Sequence, residues 1–228
     1  MQKRHSIKGS LPLLICLFVA SLAMFFFGWL AEEMMEGDTH DFDTVLLLAF
    51  RDPVDLSDPI GPRWLVHAMI DVTSLGGGVI VTLLTLVIAG YFLIKKNYYD
   101  VLLLALSTGG GAIISNILKH SFERPRPDLV AHLVKVNTLS FPSGHTMAAV
   151  IAYITIGALL ARKQNRNVRL YIFAISTLLA ASIGISRVYL GVHWPTDVLA
   201  SWSLGIFWVI LCWLFTAWLQ SKNKAIKI

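Results

Sequence analysis

The sequence predicts an all-α integral membrane protein: a six-helix bundle with both termini cytoplasmic and short interfacial helices on the outer side. Hydrophobic residues make up 56% of the 228 residues and charged residues only 14%, whereas soluble domains average about 25% charged residues. Six apolar stretches also meet or approach the roughly 20 residues that a helix needs to cross a bilayer. They are residues 11–31, 76–94, 99–118, 146–161, 169–186 and 198–219. Because little chain remains for a soluble unit, residues 1–228 are predicted to form one membrane domain.

The first apolar stretch is predicted to be a retained span and not a cleaved signal peptide. Basic residues precede it, as they do in signal peptides, but its apolar core is about twice the usual length. Phe25, Phe26, Phe27 and Trp29 occupy the place where small residues would mark a cleavage site.

Charge distribution predicts the orientation. The N-terminal segment, the turn at Lys95, the loop at 162–169 and the C-terminal tail hold twelve of the 19 basic residues but only one of the 14 acidic residues. Basic residues mark cytoplasmic loops, so the external segments are predicted to be 32–75, 119–145 and 187–197. The net charge of +5 then reflects topology, and no nucleic-acid surface is predicted.

The first external segment is predicted to begin with an acidic, solvated loop over Glu32–Asp43. The apolar stretches Val45–Phe50 and Trp64–Ile70 that follow are too short to span a bilayer. They are predicted to be interfacial helices, with Trp64 at the level of the lipid headgroups.

Three polar clusters lie at span boundaries on the predicted outer side. They run from Lys119 to Pro127, from Phe141 to His145 and from Ser186 to Asp197. Simple headgroup anchors would show no particular order or spacing, whereas these clusters show both. We therefore expect the three segments to converge on one site.

The residue types in these clusters favour a multiply charged tetrahedral oxyanion. Ser143 is suited to the N-cap of the following helix, whose first N–H groups and dipole attract anions. Gly144 lets an oxyanion approach the main chain closely. Arg126 and Arg187 offer planar forks for phosphate oxygens, and Lys119 adds a point charge.

Two histidines and an aspartate indicate the chemistry. His193 and Asp197 are about one helical turn apart, so the carboxylate can hold one ring nitrogen and leave the other as an exposed nucleophile. His145 lies on another segment and can donate a proton to a leaving oxygen and later accept one from water. This pattern favours phosphoryl transfer through a phosphohistidine. Metal binding by the same three residues is the alternative, but three adjacent cations would repel a divalent ion.

These segments resemble the three-part signature of the type 2 phosphatidic acid phosphatase (PAP2) superfamily, over about residues 71–200. The matching motifs are Lys119-x6-Arg126-Pro127, Pro142-Ser143-Gly144-His145 and Ser186-Arg187-x5-His193-x3-Asp197. The resemblance implies that His193 attacks phosphorus, Asp197 orients it, and His145 serves as acid and then base. It also implies phosphate binding by Lys119, Arg126, Ser143, Gly144, Ser186 and Arg187, without a metal or cofactor.

The resemblance implies a bacterial phosphatase of the cytoplasmic membrane whose site opens outward onto a lipid phosphate. Undecaprenyl diphosphate, phosphatidylglycerol phosphate and phosphatidic acid are the candidate substrates, with selection expected from the groove between helices and residues 32–75. The bilayer and the lipid phosphate are the predicted partners, and no oligomeric state is predicted.

Three other functions are compatible with parts of the pattern. A lipid phosphotransferase would use the same histidine pocket with a lipid or sugar acceptor. The resemblance extends to vanadium haloperoxidases, which are soluble, whereas six spans are predicted here. A transporter or anionic-lipid binder would place its polar residues near the bilayer midplane, but these clusters lie at span ends.

Other polar and glycine residues are predicted to be structural. His67, His120 and His132 are interpreted as interface or loop residues, and Asp71 as a loop tether. The glycine runs at 76–78 and 109–111 are predicted to permit close packing. Arg124 is interpreted as a contact to a headgroup or to substrate.

Overall fold

The computed structural model describes the backbone of residues 7–226 and the side chains of residues 11–223. This part of the chain is helical and contains no β-strand, apart from one isolated bridge between Arg51 and Pro59. The helices are α1 (Ile7–Glu36), α2 (His40–Leu48), α3 (Arg63–Ser74), α4 (Gly78–Ile94), α5 (Tyr98–Phe122), α6 (Gly144–Ala161), α7 (Arg166–Tyr189) and α8 (Pro195–Ile226).

Five helices are long and apolar enough to cross a membrane, namely α1, α5, α6, α7 and α8. The second predicted span, residues 76–94, corresponds to α4, but α4 does not stand alone as a straight span. α4 has only 17 residues and follows α3 after a short break, with a bend of 48° between the two helices. The bent pair gives a sixth membrane-crossing unit if it is counted as one span. The predicted interfacial stretch Trp64–Ile70 therefore belongs to α3, which a short bent connection joins to α4.

The predicted loop over Glu32–Asp43 is wrong, although most of its residues are exposed as predicted. α1 continues to Glu36, α2 begins at His40, and Asp43 is completely buried. An acidic segment usually faces water because an unpaired carboxylate is costly to bury. Asp43 can be buried because it forms an ion pair with Arg124, which lies 81 positions further along the chain.

Small residues allow the central helices to approach closely. A Cβ on Gly110 would lie 2.5 Å from Trp208 Cζ2, and a Cβ on Gly111 would lie 2.3 Å from Ile151 Cδ1. These two members of the 109–111 run pack as predicted, against α8 and α6. Many apolar side chains on the outer faces of the helices are exposed, including Phe25 at 72%, as expected for a surface that faces lipid.

Successive long helices run in opposite directions and define two ends of the bundle. At one end, a Cβ on Gly144 at the start of α6 would lie 3.7 Å from Lys119 Cε near the end of α5. Ser143 N also lies 3.4 Å from the Asp197 carbonyl oxygen, so the start of α8 is at this end too. The other end carries the α4–α5 and α6–α7 turns, which an ion pair between Arg162 and Asp100 joins at 2.5 Å.

Candidate active site

His193 and Asp197 form a buried pair at the start of α8. His193 lies two residues before Pro195, the first residue of α8. Its ring atom Nδ1 is 3.2 Å from Asp197 Oδ2. Ser140 Oγ and Trp194 N donate to the same oxygen at 2.5 and 3.0 Å. The carboxylate is therefore fixed from several directions and holds the imidazole in one orientation.

The other ring nitrogen faces Arg126. Arg126 Nη1 lies 3.2 Å from His193 Nε2. A guanidinium group has no acceptor atom, so Nε2 must present its lone pair and Nδ1 must carry the hydrogen that is donated to Asp197. This tautomer suits a nucleophile that attacks through Nε2.

The predicted exposure of the nucleophile is wrong, because the His193 side chain is only 1% exposed. Arg126 covers Nε2 and is held in place by Thr138, whose carbonyl oxygen accepts from Nε at 2.6 Å and whose hydroxyl accepts from Nη2 at 3.0 Å. The Val192 carbonyl also accepts from Arg126. Any ligand that is to contact Nε2 must first displace the guanidinium.

Burial controls the protonation of His193. It lowers the pKa of the ring to about 3, and the charges of Arg187 and Arg126 act in the same direction, whereas Asp197 opposes them. Because the pKa lies below its ordinary value, the ring is neutral at any pH above about 4 and its Nε2 lone pair remains available.

We expect His193 to stay neutral when the pH falls from about 7 to about 5, where an ordinary histidine becomes protonated. The 15N chemical shifts of histidine-labelled protein would report this, with the His193 signals assigned by their loss in His193→Gln. Free histidine in the same buffers provides the comparison and should titrate near 6.5. A midpoint near 6.5 for His193 would contradict the prediction.

Three cations surround the pair without carboxylate partners. Lys119 Nζ donates to the Leu139 carbonyl at 2.5 Å, and Arg187 Nη1 donates to Thr73 Oγ1 at 2.9 Å. Arg187 Nε is buried with no hydrogen-bond partner. Within residues 11–223, Lys119, Arg126 and Arg187 form no ion pair. Buried charges normally require a counter-charge, so this arrangement is suited to an anionic ligand.

The start of α6 contributes the remaining predicted residues. Ser143 occupies the N-cap position, but its hydroxyl makes no cap hydrogen bond and accepts from Thr146 Oγ1 at 2.8 Å. Gly144 lies beside Lys119, as described above. The ring of His145 is near the α3–α4 break, where a Cβ on Gly77 would lie 3.9 Å from His145 Nε2. The free N–H groups of this helix start thus face the same end of the bundle as His193.

Ser186 differs from the other predicted phosphate-binding residues. Its side chain is completely buried, and its hydroxyl donates to the Ile183 carbonyl one turn earlier at 2.7 Å. In this arrangement the hydroxyl proton is used within α7 and is not directed at a ligand.

The sequence analysis interpreted Arg124 as a contact to a headgroup or to substrate and did not single out Asp43, but Arg124 pairs with Asp43 and with Asp197. Arg124 Nη1 donates to Asp197 Oδ1 at 2.6 Å, and Arg124 Nη2 donates to Asp43 Oδ2 at 2.6 Å. Asp43 also accepts from the backbone N–H and the hydroxyl of Thr196 at 2.8 and 2.6 Å. Arg124 thus links α2 to the carboxylate that holds His193. Its position two residues before Arg126 was the available signal, whereas nothing in the sequence indicated Asp43.

His67, His120, His132 and Asp71, which were predicted to be structural, form no contact with the His193–Asp197 pair. His67 and Asp71 are exposed on α3. His120 and His132 are exposed, and their rings lie within hydrogen-bond distance of the Asn116 and Pro127 carbonyl oxygens. Over the side chains described, no three His, Cys, Asp or Glu residues are placed to hold a metal ion. The donor geometry therefore gives no support to the metal-binding alternative.

Comparison with known proteins identifies the family. The sequence profile of the PAP2 superfamily matches residues 100–221, which is more than half of the chain. The chain belongs to the PAP2 superfamily. The PAP2 match includes Lys119 and the segments around His145 and His193, whose geometry is described above.

A solved PAP2 structure shares the fold. The crystal structure of a transmembrane PAP2 type phosphatidylglycerolphosphate phosphatase from Bacillus subtilis superposes with a TM-score of 0.78 and 31% sequence identity. The superposition covers 87% of this chain and 96% of that chain. The PAP2 chain described here is thus a multi-pass membrane protein of the same architecture.

Curated PAP2 relatives match over shorter stretches. Phosphatidylglycerophosphatase B of Bacillus subtilis is 42% identical over 99 residues, which are 41% of this chain and 47% of the relative. Undecaprenyl-diphosphatase of Sulfolobus acidocaldarius is 35% identical over 71 residues, or 31% of each chain. The aligned stretches thus span about a third to a half of these relatives.

Proposed function

We propose that this chain is a lipid phosphatase that hydrolyses a phosphomonoester or diphosphate of a lipid through a phosphohistidine on His193. The observation that carries the proposal is the neutral imidazole held by Asp197 and surrounded by cations without carboxylate partners. Such a site attracts a phosphate group and presents a nitrogen lone pair to its phosphorus atom.

The first step forms the phosphoenzyme. Lys119, Arg126 and Arg187 bind the non-bridging oxygens, and Arg126 leaves Nε2 as it turns to the phosphate. Nε2 attacks phosphorus, the N–P bond forms, and the bond to the leaving oxygen breaks. His145 gives its proton to that oxygen. Asp197 stabilises the positive charge that develops on the His193 ring.

The second step returns the enzyme to its starting state. His145, now neutral, accepts a proton from a water molecule as the water oxygen attacks phosphorus. The N–P bond breaks, its electron pair returns to Nε2, and inorganic phosphate leaves. Neither step requires a metal, since the cations and the first N–H groups of α6 balance the charge of the oxyanion.

The proposed substrate keeps its chains in the bilayer while its phosphate enters the site from the membrane surface. The site lies at helix ends, and the opposite end carries most of the basic residues that mark the cytoplasm. We therefore propose that the site faces the outside of the cytoplasmic membrane. A membrane-impermeant maleimide should label Lys135→Cys, but not Lys163→Cys, in intact cells.

The test of the function is phosphate release by the purified chain in mixed micelles with a metal chelator. Phosphatidylglycerol phosphate, undecaprenyl diphosphate and phosphatidic acid form the panel, and we expect release from at least one. Arg126→Gln should abolish release, whereas Lys135→Gln, which removes an exposed cation from the same segment, should not.

Two outcomes would contradict the proposed hydrolysis. Labelled phosphate that appears on an added lipid or sugar acceptor, with little free phosphate, would identify a phosphotransferase. Binding of the lipid without turnover under all conditions would favour a non-enzymatic binder or transporter.

We expect Gly76→Ala to lower kcat by about 10- to 100-fold, because a small displacement of a catalytic group has effects of this size. A Cβ at this position would lie 2.9 Å from the His145 carbonyl oxygen and 2.6 Å from Ile183 Cγ2. The start of α6 and the α3–α4 break must therefore move apart, which displaces His145 relative to the break. Gly78→Ala is the matched control, since no atom lies within 4 Å of its Cβ. Equal kcat values for the two variants would show that His145 tolerates the shift.

A further inference from the structure

A polar cavity lies at the end of the bundle opposite to His193. Its volume is about 660 Å3, and it forms where α4 turns into α5, where α6 ends and where α8 ends. The charged side chains that line it are four cations and one carboxylate, namely Lys95, Lys96, Arg162, Lys163 and Asp100. The cavity is separate from every residue of the candidate active site.

Most of the positive charge in this cavity is uncompensated. Arg162 already neutralises Asp100, with Nη1 and Oδ1 2.5 Å apart. Lys95, Lys96 and Lys163 form no ion pair with any side chain between residues 11 and 223. Three exposed cations therefore line a concave surface without forming an ion pair, and this surface is complementary to a negatively charged ligand.

The rim of the cavity continues into surface that faces lipid. Ile94 and Leu93, at the end of α4, are exposed, and so is Leu160 near the end of α6. Tyr91 and Tyr98 line the cavity and are also exposed, and tyrosine is typical of the level of the headgroups. A ligand with a charged head and apolar chains would contact both regions at once.

We propose that this cavity binds the phosphodiester headgroup of an anionic phospholipid in the leaflet on this side of the membrane. Lys95, Lys96 and Lys163 contact the phosphate oxygens, and the acyl chains lie along Leu93 and Ile94. Basic pockets between helix ends bind anionic headgroups in this way. The site differs from the proposed active site in needing no terminal phosphate, and it does not depend on the proposed hydrolysis.

The test is a titration of the delipidated, detergent-solubilised full chain with cardiolipin, followed by native mass spectrometry. Lys95→Gln/Lys163→Gln should weaken binding by about 30-fold, the effect of two basic residues near an anionic headgroup. The matched control Arg166→Gln/Arg169→Gln removes the same charge from the same end, outside the cavity lining, and should change binding less than about two-fold.

Two further arms identify the ligand. Phosphatidylcholine, which has the phosphodiester and the chains but no net charge, should bind weakly and equally to all variants. Inorganic phosphate should not displace cardiolipin, and Arg126→Gln at the opposite end should retain it. Equal losses in the two double variants would overturn the proposal. Displacement by inorganic phosphate, equal binding of phosphatidylcholine, or loss in Arg126→Gln would also overturn it.

Discussion

Replacing His193 with alanine is expected to reduce phosphate release by at least about 10⁴-fold, as removal of an essential nucleophile does in other enzymes. Nε2 is the ring nitrogen that can form the N–P bond, because Nδ1 is held by Asp197, whose carboxylate accepts from four donors. Initial rates of phosphate release in mixed micelles measure the effect. His120→Ala, which alters an exposed histidine near the same end, should keep normal rates.

The phosphoenzyme provides a second measurement for the same prediction. With an aryl phosphate, whose leaving group needs no proton, His145→Gln should complete the first step but not the second. Labelled phosphate should then accumulate on the protein in a form that is labile to acid and stable to base, as expected of phosphohistidine. No label should remain when His193→Ala is added. Full activity of His193→Ala would exclude the assigned nucleophile.

Arg124→Met is expected to destabilise the protein by about 3–5 kcal/mol and to lower kcat by about 100-fold or more. The Arg124 side chain is only 11% exposed and contacts two completely buried carboxylates, each at 2.6 Å. Without the guanidinium, Asp43 and Asp197 remain buried with no cation between them. Asp197 should then shift and release the His193 ring. Unfolding midpoints and kcat measure the two effects.

Two comparisons separate these effects. Arg162→Met breaks an ion pair of similar length at the other end, but Arg162 is 45% exposed, so it should cost less than about 1 kcal/mol. Arg124→Met/Asp43→Asn removes one of the unpaired carboxylates and should recover part of the stability without restoring kcat. An Arg124→Met variant as stable as Arg162→Met would show that the buried pairs contribute little.

The sequence was sufficient for the features that the bilayer determines. Apolar length predicted five of the helices that can span, and these helices extend beyond the predicted bounds by up to seven residues. It failed at the α3–α4 break, because the polar residues at the end of α3 interrupt the apolar run. Hydropathy alone does not show that the two helices form one bent pair.

The site could be predicted only in part, for a similar reason. Motif order and span ends placed the three polar clusters at one end of the bundle. Spacing does not show which side chains are buried together. The burial of His193 under Arg126 and the lack of a cap hydrogen bond from the Ser143 side chain therefore differ from the predictions. The contact of Arg124 with Asp43 joins residues 81 positions apart. A single aspartate in an acidic segment carries no signal of such a contact.

The position of Asp43 affects how such proteins can be recombined. The segment 32–75 is the natural one to transplant between relatives when a different lipid preference is wanted, since it lies outside the motifs. It nevertheless supplies a counter-charge for Arg124, which also contacts Asp197, the carboxylate that holds His193. A chimera that lacks an acid at position 43 should fold poorly unless position 124 is exchanged with it. Exchanges of this segment should therefore succeed when an acid at position 43 is kept together with Arg124.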